Sequence, residues 1–232
     1  YSGPTWYITE GGNDTTATGA SDDPFRSIQS GINFSSDADS VTVAAGTYVE
    51  NINFRGRNIK VVGEDWETTI IDGDSSGTVV MFDSGENNMA ILDGFTIQNG
   101  SGYITLPGWN EFTLGSGGGV CILDSDPTLR NLIIENNIAP GIAGGGIYSN
   151  GGDPIISHCI VKNNSAYIHG GGIFIQESSN NATLEHSEIT GNSIIHPTSS
   201  FGGGIKISYS SITIKNVTVS GNSAYTGGGI NL

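Results

Sequence analysis

Gly144-Gly145-Gly146-Ile147-Tyr148-Ser149 is the stretch on which the fold turns, because it keeps returning. Gly117-Gly118-Gly119 precedes Val120-Cys121-Ile122, and Gly170-Gly171-Gly172 precedes Ile173-Phe174-Ile175. Gly202-Gly203-Gly204 leads into Ile205-Lys206-Ile207, and Gly227-Gly228-Gly229 into Ile230-Asn231-Leu232. The first glycines stand 27, 26, 32 and 25 residues apart. A period in this range marks a repeat architecture built from one supersecondary unit per repeat.

A second element keeps the same period. It runs Thr128 to Asn137, Ile155 to Asn164, Thr183 to Asn192 and Thr213 to Asn222. Its β-branched content and period-two alternation predict two short strands sharing a polar bend. Strands this short, repeated at this spacing, gain partners only by stacking coil on coil. The prediction is an all-β, right-handed, three-sheet parallel β-helix, a solenoid in which each strand pairs with its equivalent one turn away. Alternation places Val120, Ile147, Ile173, Ile205 and Ile230 inward on the glycine-led sheet. Leu129, Ile156, Leu184 and Ile214 line the next sheet, and Ile134, Val161, Ile189 and Val219 the third, with Leu132, Cys159, Ser187 and Val217 two residues earlier. Asn131, His158, His186 and Asn216 fall at the bend. Asn137, Asn164, Asn192 and Asn222 end the third sheet, where stacked amides can bond along the axis and Asn tolerates a left-handed backbone. His158 and His186 should lie about one strand spacing apart, roughly 4.8 Å. Either they replace Asn at the bend, or they form a metal or catalytic pair.

Composition narrows the function. The 232 residues suffice for one continuous domain, read as 1–40 (strand, loop and capping helix) and 41–232 (coils). The net charge of −15 comes from 23 acids and 8 bases, and residues 1–100 hold 15 of the acids. Such a chain lacks the basic face that nucleic acid requires. It fits an extracellular or cell-surface protein, or one whose acidic loops hold cations. No apolar run is long enough for a transmembrane helix. The first residue is Tyr1, so a processed or truncated chain is expected. Cys121 should point outward and Cys159 inward on a different sheet, which predicts two free thiols. Sequons at Asn13, Asn33, Asn99, Asn163, Asn181 and Asn216 carry little weight in so Asn-, Ser- and Thr-rich a chain.

Toward the N-terminus, Trp6 to Thr9 reads as a strand. Phe25, Ile28 and Ile32 lie at helical spacing, with Asp22 or Asp23 as cap. One short helix ahead of a solenoid is expected to plug its open end. Ser40–Val43, Gly46–Phe54 and Asn58–Val62 are assigned to a first coil, and Thr69–Asp72, Thr78–Phe82 and Leu92–Ile97 to a second. Trp6-Tyr7-Ile8-Thr9, Pro24-Phe25-Arg26-Ser27-Ile28-Gln29, the run Val41 to Ile52, Ile70-Ile71-Asp72-Gly73 and Leu92-Asp93-Gly94-Phe95 resemble the opening of the right-handed β-helix, pectin-lyase-like superfamily. The later Gly-Gly-Gly-Ile and Asn-Asn-Ser motifs are similar to repeats of polymorphic outer-membrane proteins, which carry Gly-Gly-Ala-Ile and Phe-x-x-Asn. The resemblance covers nearly the whole chain. It implies the fold, and a superfamily of lyases, hydrolases, adhesins and structural proteins.

It also implies where chemistry should sit. The hydrolase branch is marked by Asn-Thr-Asp, Asp-Asp, Gly-His-Gly and Arg-Ile-Lys. Here Asp22-Asp23 precedes the helix and Ile205-Lys206-Ile207 lacks the arginine. A lyase could recruit Lys162, Lys206 or Arg130 with Glu135 or Glu188. Glu135, Lys162 and Glu188 read rather as a surface charge ladder in which Lys162 relieves two stacked acids. Asp124, Asp126 and Asp153 sit in equivalent turns and could bind calcium, or be ordinary turn residues; Asp72-Gly73-Asp74 is similar. Tyr103, Ile104, Trp109, Phe112, Ile142, Tyr167, Ile168, Ile195, Phe201 and Tyr225 follow one loop edge, where aromatic residues could stack on a polysaccharide, meet a partner or pack on each other. The chain ends inside a glycine-led strand, from which head-to-tail self-association into filaments is expected. The function expected is therefore a non-enzymatic extracellular β-helix with a structural or adhesive role. A polysaccharide lyase or glycoside hydrolase, and a carbohydrate-binding module, are the alternatives.

Overall fold

The computed structural model describes residues 2–102, 115–179 and 181–232. Its strands stack in parallel as a solenoid. The glycine-led sheet holds seven strands in the order Ile52–Asn53, Val80–Phe82, Val120–Leu123, Ile147–Asn150, Ile173–Gln176, Ile205–Ser208 and Ile230–Asn231. A second column starts at Thr5–Ile8 and passes through Ser40–Val43, Lys60–Gly63 and Ile91–Gln98 to Ile212–Lys215. A third passes from Gly46–Val49 through Thr69–Asp72 to Thr218–Ser220. Ile91–Gln98 and Thr128–Glu135 run through the bend and belong to both columns. A three-stranded ribbon, Ile138–Ala139, Ser165–Ala166 and Ser193–Ile194, follows the third sheet.

Register makes each core position a column of like residues. Trp6, Val41, Val61, Leu92, Leu129, Ile156 and Leu184 stack on one wall. Ile52, Val80, Val120, Ile147, Ile173 and Ile205 stack on another. All of them are buried.

Two features hold the coils in this register. Asn137, Asn164 and Asn192 are fully buried, and the Asn164 and Asn192 side chains each use all four of their bonding positions. The Asn164 Oδ1 accepts both the backbone N–H and the Nδ2 of Asn137, each at 3.0 Å. The Asn164 Nδ2 donates to the Ile134 carbonyl at 2.8 Å and to the Asn192 Oδ1 at 3.0 Å. The same pattern passes on from Asn192 to Asn222. The ladder residues are not themselves left-handed, contrary to the expectation. That conformation falls one residue earlier, on Asn136, Asn163, Gly191 and Gly221, which leaves each ladder amide pointing inward. At the other bend Asn131, His158, His186 and Asn216 are left-handed, as expected, with φ between 49° and 54°.

The glycine triplet is the ladder's counterpart. Its first member has a positive φ in every copy. A Cβ on Gly172 would lie 2.7 Å from the Gly204 carbonyl oxygen and 3.0 Å from the Asn192 amide. The triplet is therefore bare backbone pressed against the neighbouring triplet and the ladder.

The first coils are phased differently from the reading above. Gly46 to Phe54 is not one strand. It breaks at Glu50 and Asn51 into Gly46–Val49 and Ile52–Asn53, because Glu50 turns to the helix and the Asn51 Nδ2 bonds the Thr78 carbonyl. Lys60–Gly63 pairs with Ser40–Val43 and so opens the next coil.

The helix is shorter than its sequence pattern, Ile28–Phe34, and its cap is Ser27 rather than Asp22 or Asp23. The Ser27 Oγ accepts from the Ser30 N–H, and both Glu50 oxygens accept from Ile28 and Gln29. Asp23 instead accepts from the Thr18 N–H in the preceding loop. The helix packs so closely over the first rungs that a Cβ on Gly31 would meet Val41 and Ile8 side chains within 2.8 Å.

Asn164→Ala orphans two buried donors of Asn137 and is expected to cost about 2–5 kcal/mol. Gly172→Ala overpacks the same junction and should cost about 1–3 kcal/mol. Urea denaturation followed by circular dichroism measures both, and wild-type stability in either variant would refute this account of the junction.

Candidate functional site

The residues named from the sequence fall into four places. Asp126 and Asp153 stack in one polar column, but Asp124 stands apart beside Gly151. The Asp126 Oδ1 accepts the Asp153 N–H at 2.8 Å. The Asp153 carboxylate accepts from both hydroxyls of Ser178 and Ser179, the Ser179 N–H and the Asn181 Nδ2. Burial pushes its pKa up, but these hydroxyl and amide donors outweigh it and hold the carboxyl below the ordinary 3.8. Serines and an asparagine thus supply what a cation would. Among the described residues no three His, Cys, Asp or Glu side chains gather into a metal-holding group.

Acids in the first hundred residues behave alike. Ten of the fifteen accept backbone N–H bonds: Glu10, Asp14, Asp23, Asp37, Asp39, Glu50, Glu64, Asp65, Asp72 and Glu86. Glu86 is buried and bridges three coils through Gly56, Ser84 and Ser125. Glu50, lining a cleft with Glu10, Asp14, Arg26 and Tyr48, is held above the ordinary 4.5 by burial, against the Gln29 and Ile28 N–H bonds. Both its oxygens are taken by the helix, so it acts as an anchor. The acidity that reads as cation-holding loops is largely spent on turns.

The candidate bases are also engaged. Lys162 pairs with Glu135 at 3.1 Å, and Arg130 with Asp93 at 2.8 Å. The Lys206 Nζ donates to the Asn231 Oδ1 at 2.7 Å. Glu188 does not join Lys162: register sets it beside Ile160, while Lys162 faces Thr190. His158 and His186 stack with centroids 5.0 Å apart and planes 9° from parallel, and the His186 Nε2 meets the Asn216 Nδ2 at 3.0 Å. The imidazoles therefore continue the amide column of the bend.

The loop edge divides. Tyr103, Trp109 and Phe112, with Ile104, lie outside the described residues. Phe201 is half-buried and packs on His169, which also touches Phe174. Burial, with Lys206 nearby, pulls the His169 pKa below the ordinary 6.5. This contact belongs to a second apolar cluster of Cys121, Leu123, Ala143, Tyr148 and Phe174 on the outer face of the glycine-led sheet. Cys121 does point away from the main core, as expected, but it is buried there. Both cysteines are free, and burial pushes the Cys159 thiol up to about 12. Alternation alone missed this second layer, although the outward Tyr148 and Phe174 were its signal.

Tyr167, Ile195 and Tyr225 remain at the surface. The ribbon's backbone bonds set Tyr167 beside Ile195, with the His196 N–H donating to the Tyr167 carbonyl, while Tyr225 follows along the same edge one coil on, its N–H bonding the Ser200 Oγ. They are 42 %, 54 % and 70 % exposed. Tyr167 and Ile195 are separated by about one rung, roughly 4.8 Å.

This architecture defines a class, the parallel β-helix solenoid. The chain belongs to the right-handed β-helix family: the model described as "Right handed beta helix region" matches residues 25–232. A comparison with curated protein sequences finds no match. Among solved structures, it is similar to a pectin methylesterase in complex with a hexasaccharide, at 12 % identity and a TM-score of 0.50, over 90 % of this chain and 66 % of that one. It is also similar to pectin methylesterase PemA from Erwinia chrysanthemi, at 13 % identity and a TM-score of 0.49, with the same coverage. The chain thus spans just under two thirds of their length, and at these identities the likeness concerns the fold.

The carboxylates carry a testable pH dependence. Asp14, Asp72 and Asp153 each have a folded pKa below 3.8. Their contribution is present above that value and lost as pH falls through the folded values. Glu50, raised above 4.5, works in the opposite sense, its contribution being lost as pH rises. With three groups against one, stability to urea should fall as pH drops below 3.8. Asp153→Asn should make that fall shallower, and an unchanged slope in the variant would contradict the assignment.

Proposed function

We propose that this chain is an extracellular, non-enzymatic β-helix module with a structural or adhesive role, attaching through the exposed column of Tyr167, Ile195 and Tyr225. The column is the observation that carries the reading. Exposed aromatic and branched side chains repeated along one edge in successive coils present apolar surface to solvent, and in a net acidic chain this favours a contact role. The bases a lyase would need are tied into surface pairs, and the most buried carboxylates are tied to backbone N–H groups. Both observations favour binding over catalysis. A net charge of −15 favours neutral or cationic partners over polyanions.

A carbohydrate-binding module is the second reading, favoured by the two tyrosines of the column. Stacking on sugar rings needs an exposed aromatic face, which Tyr225 presents most fully. The two readings share a face and differ in what covers it.

Tyr167→Ala with Tyr225→Ala is the test. Adhesion to insoluble neutral polysaccharides and to cell-wall preparations should fall at least about tenfold, the order of losing two aromatic contacts. Circular dichroism should be unchanged, since both side chains are exposed. Electron microscopy of the wild type and the double variant reads whether self-assembly depends on this edge. Undiminished adhesion and assembly in the double variant would sink the proposal.

A further inference from the structure

A groove on the opposite side of the coil, at the bend between the other two sheets, stands apart from every residue considered so far as a binding position. Its floor is Gly63 and Gly94, its walls are Glu64, Asp65 and Trp66 on one side and Asp93 and Asn131 on the other, and its volume is about 300 Å³.

The groove follows from local sequence. In the later coils the bend is a single left-handed residue, such as Asn131 or His158. In the earlier coil the chain leaves Gly63 and makes a longer turn before re-entering the third sheet at Thr69. That turn is firmly held. The Asp65 carbonyl accepts from the Thr68 and Thr69 N–H groups, and the Asp65 carboxylate accepts from Glu67. Glu64 bonds back to Ala45, and the Thr96 hydroxyl donates to the Trp66 carbonyl at 2.6 Å. Trp66 is thus fixed as a half-buried wall.

The floor is kept bare by the backbone itself. A Cβ on Gly63 would lie 2.3 Å from the Gly94 carbonyl oxygen, and one on Gly94 would lie 2.8 Å from that of Gly63. In the next rung the same column carries Asn131, whose Nδ2 donates to the Asp93 Oδ1 at 2.8 Å. The other Asp93 oxygen holds Arg130. Each carboxylate oxygen has two acceptor positions, so Asp93 retains acceptor capacity toward the groove.

We infer that this groove is a binding site for a neutral saccharide, with Trp66 as the stacking platform and Asp93, Asp65, Glu64 and Asn131 as the polar partners. A sugar ring offers an apolar C–H face to an indole and a rim of hydroxyl donors to carboxylates. The groove presents these two chemistries on facing walls. Its size lies at the lower end of the range of about 300–1,000 Å³ usual for small-molecule sites. Its charge selects among sugars. Among the described residues, the salt bridge to Glu64, Asp65 or Asp93 comes from Arg130 alone, which Asp93 already occupies. A uronic-acid polymer would be repelled.

Isothermal titration with cellohexaose, xylohexaose and mannohexaose tests this, with hexagalacturonate as the acidic comparator. At least one neutral oligosaccharide should bind. Trp66→Ala should weaken it at least about tenfold, and Trp66→Phe should restore most of the loss. Asp93→Asn should also weaken binding, through the lost acceptor. Unchanged circular dichroism and thermal midpoint in Trp66→Ala would separate lost binding from lost folding. Tyr167→Ala with Tyr225→Ala should leave this titration unchanged, so the groove and the edge column can fail separately. The inference is overturned if none of the neutral oligosaccharides binds, if only hexagalacturonate binds, or if Trp66→Ala binds like the wild type.

Discussion

The packing of each glycine triplet against a buried asparagine is the constraint on which the solenoid depends. A parallel stack of short strands has little to fix where one coil ends and the next begins, since any rung could slide along its neighbour. The ladder removes that freedom. Each Asn amide bonds the backbone and side chain of one neighbour and the side chain of the other, so a shift by one residue would strand several buried polar groups at once. The amide column fits only because the strand passing over it has no side chains. Gly119, Gly146, Gly172 and Gly204 would each set a Cβ about 3 Å or less from the ladder amide. Glycine here meets a requirement of close approach by the backbone, and the left-handed first glycine of each triplet turns the chain toward it.

The N-terminal coils solve the same problem by other means. They lack triplets and ladder asparagines, and carboxylates take over. Glu86 ties three coils together, Glu50 anchors the helix over the first rungs, and Asp39 accepts from the Trp6 indole at 3.0 Å. A carboxylate can accept several N–H bonds at an irregular turn where a repeating amide cannot. The uneven charge of the chain and its change in repeat character at about residue 100 are therefore two sides of one fact. The irregular coils need acceptors, the regular ones have a ladder. Irregularity also creates the Trp66 groove, since only a coil with a longer bend can raise a wall beside a bare floor.

Much of this was legible beforehand. The columns of Ile, Val and Leu, the stacked imidazoles and the bend asparagines follow from period and alternation, which are local properties. The phase of the first coils was not legible, because Val49-Glu50-Asn51-Ile52 alternates like a strand and only the partners of Glu50 and Asn51 show that it turns. The burial of Cys121, Tyr148 and Phe174 was not legible either. Alternation gives the side of a sheet, and whether a loop folds over that side is decided elsewhere in the chain. Trp66 carried no motif, and its groove needs Gly94, in the following coil, to lie beside Gly63.

The sequence by itself determined that this chain is a right-handed β-helix, because a solenoid repeats a local pattern and its contacts are to the next copy of that pattern. It also determined which residues of the glycine-triplet coils face inward, save that Ile214 and Ile230 of the last coils are exposed. The tertiary structure decided which acids are structural, which outward faces are covered and which edge stays open. These depend on distances between residues far apart in the chain, and no repeat records them.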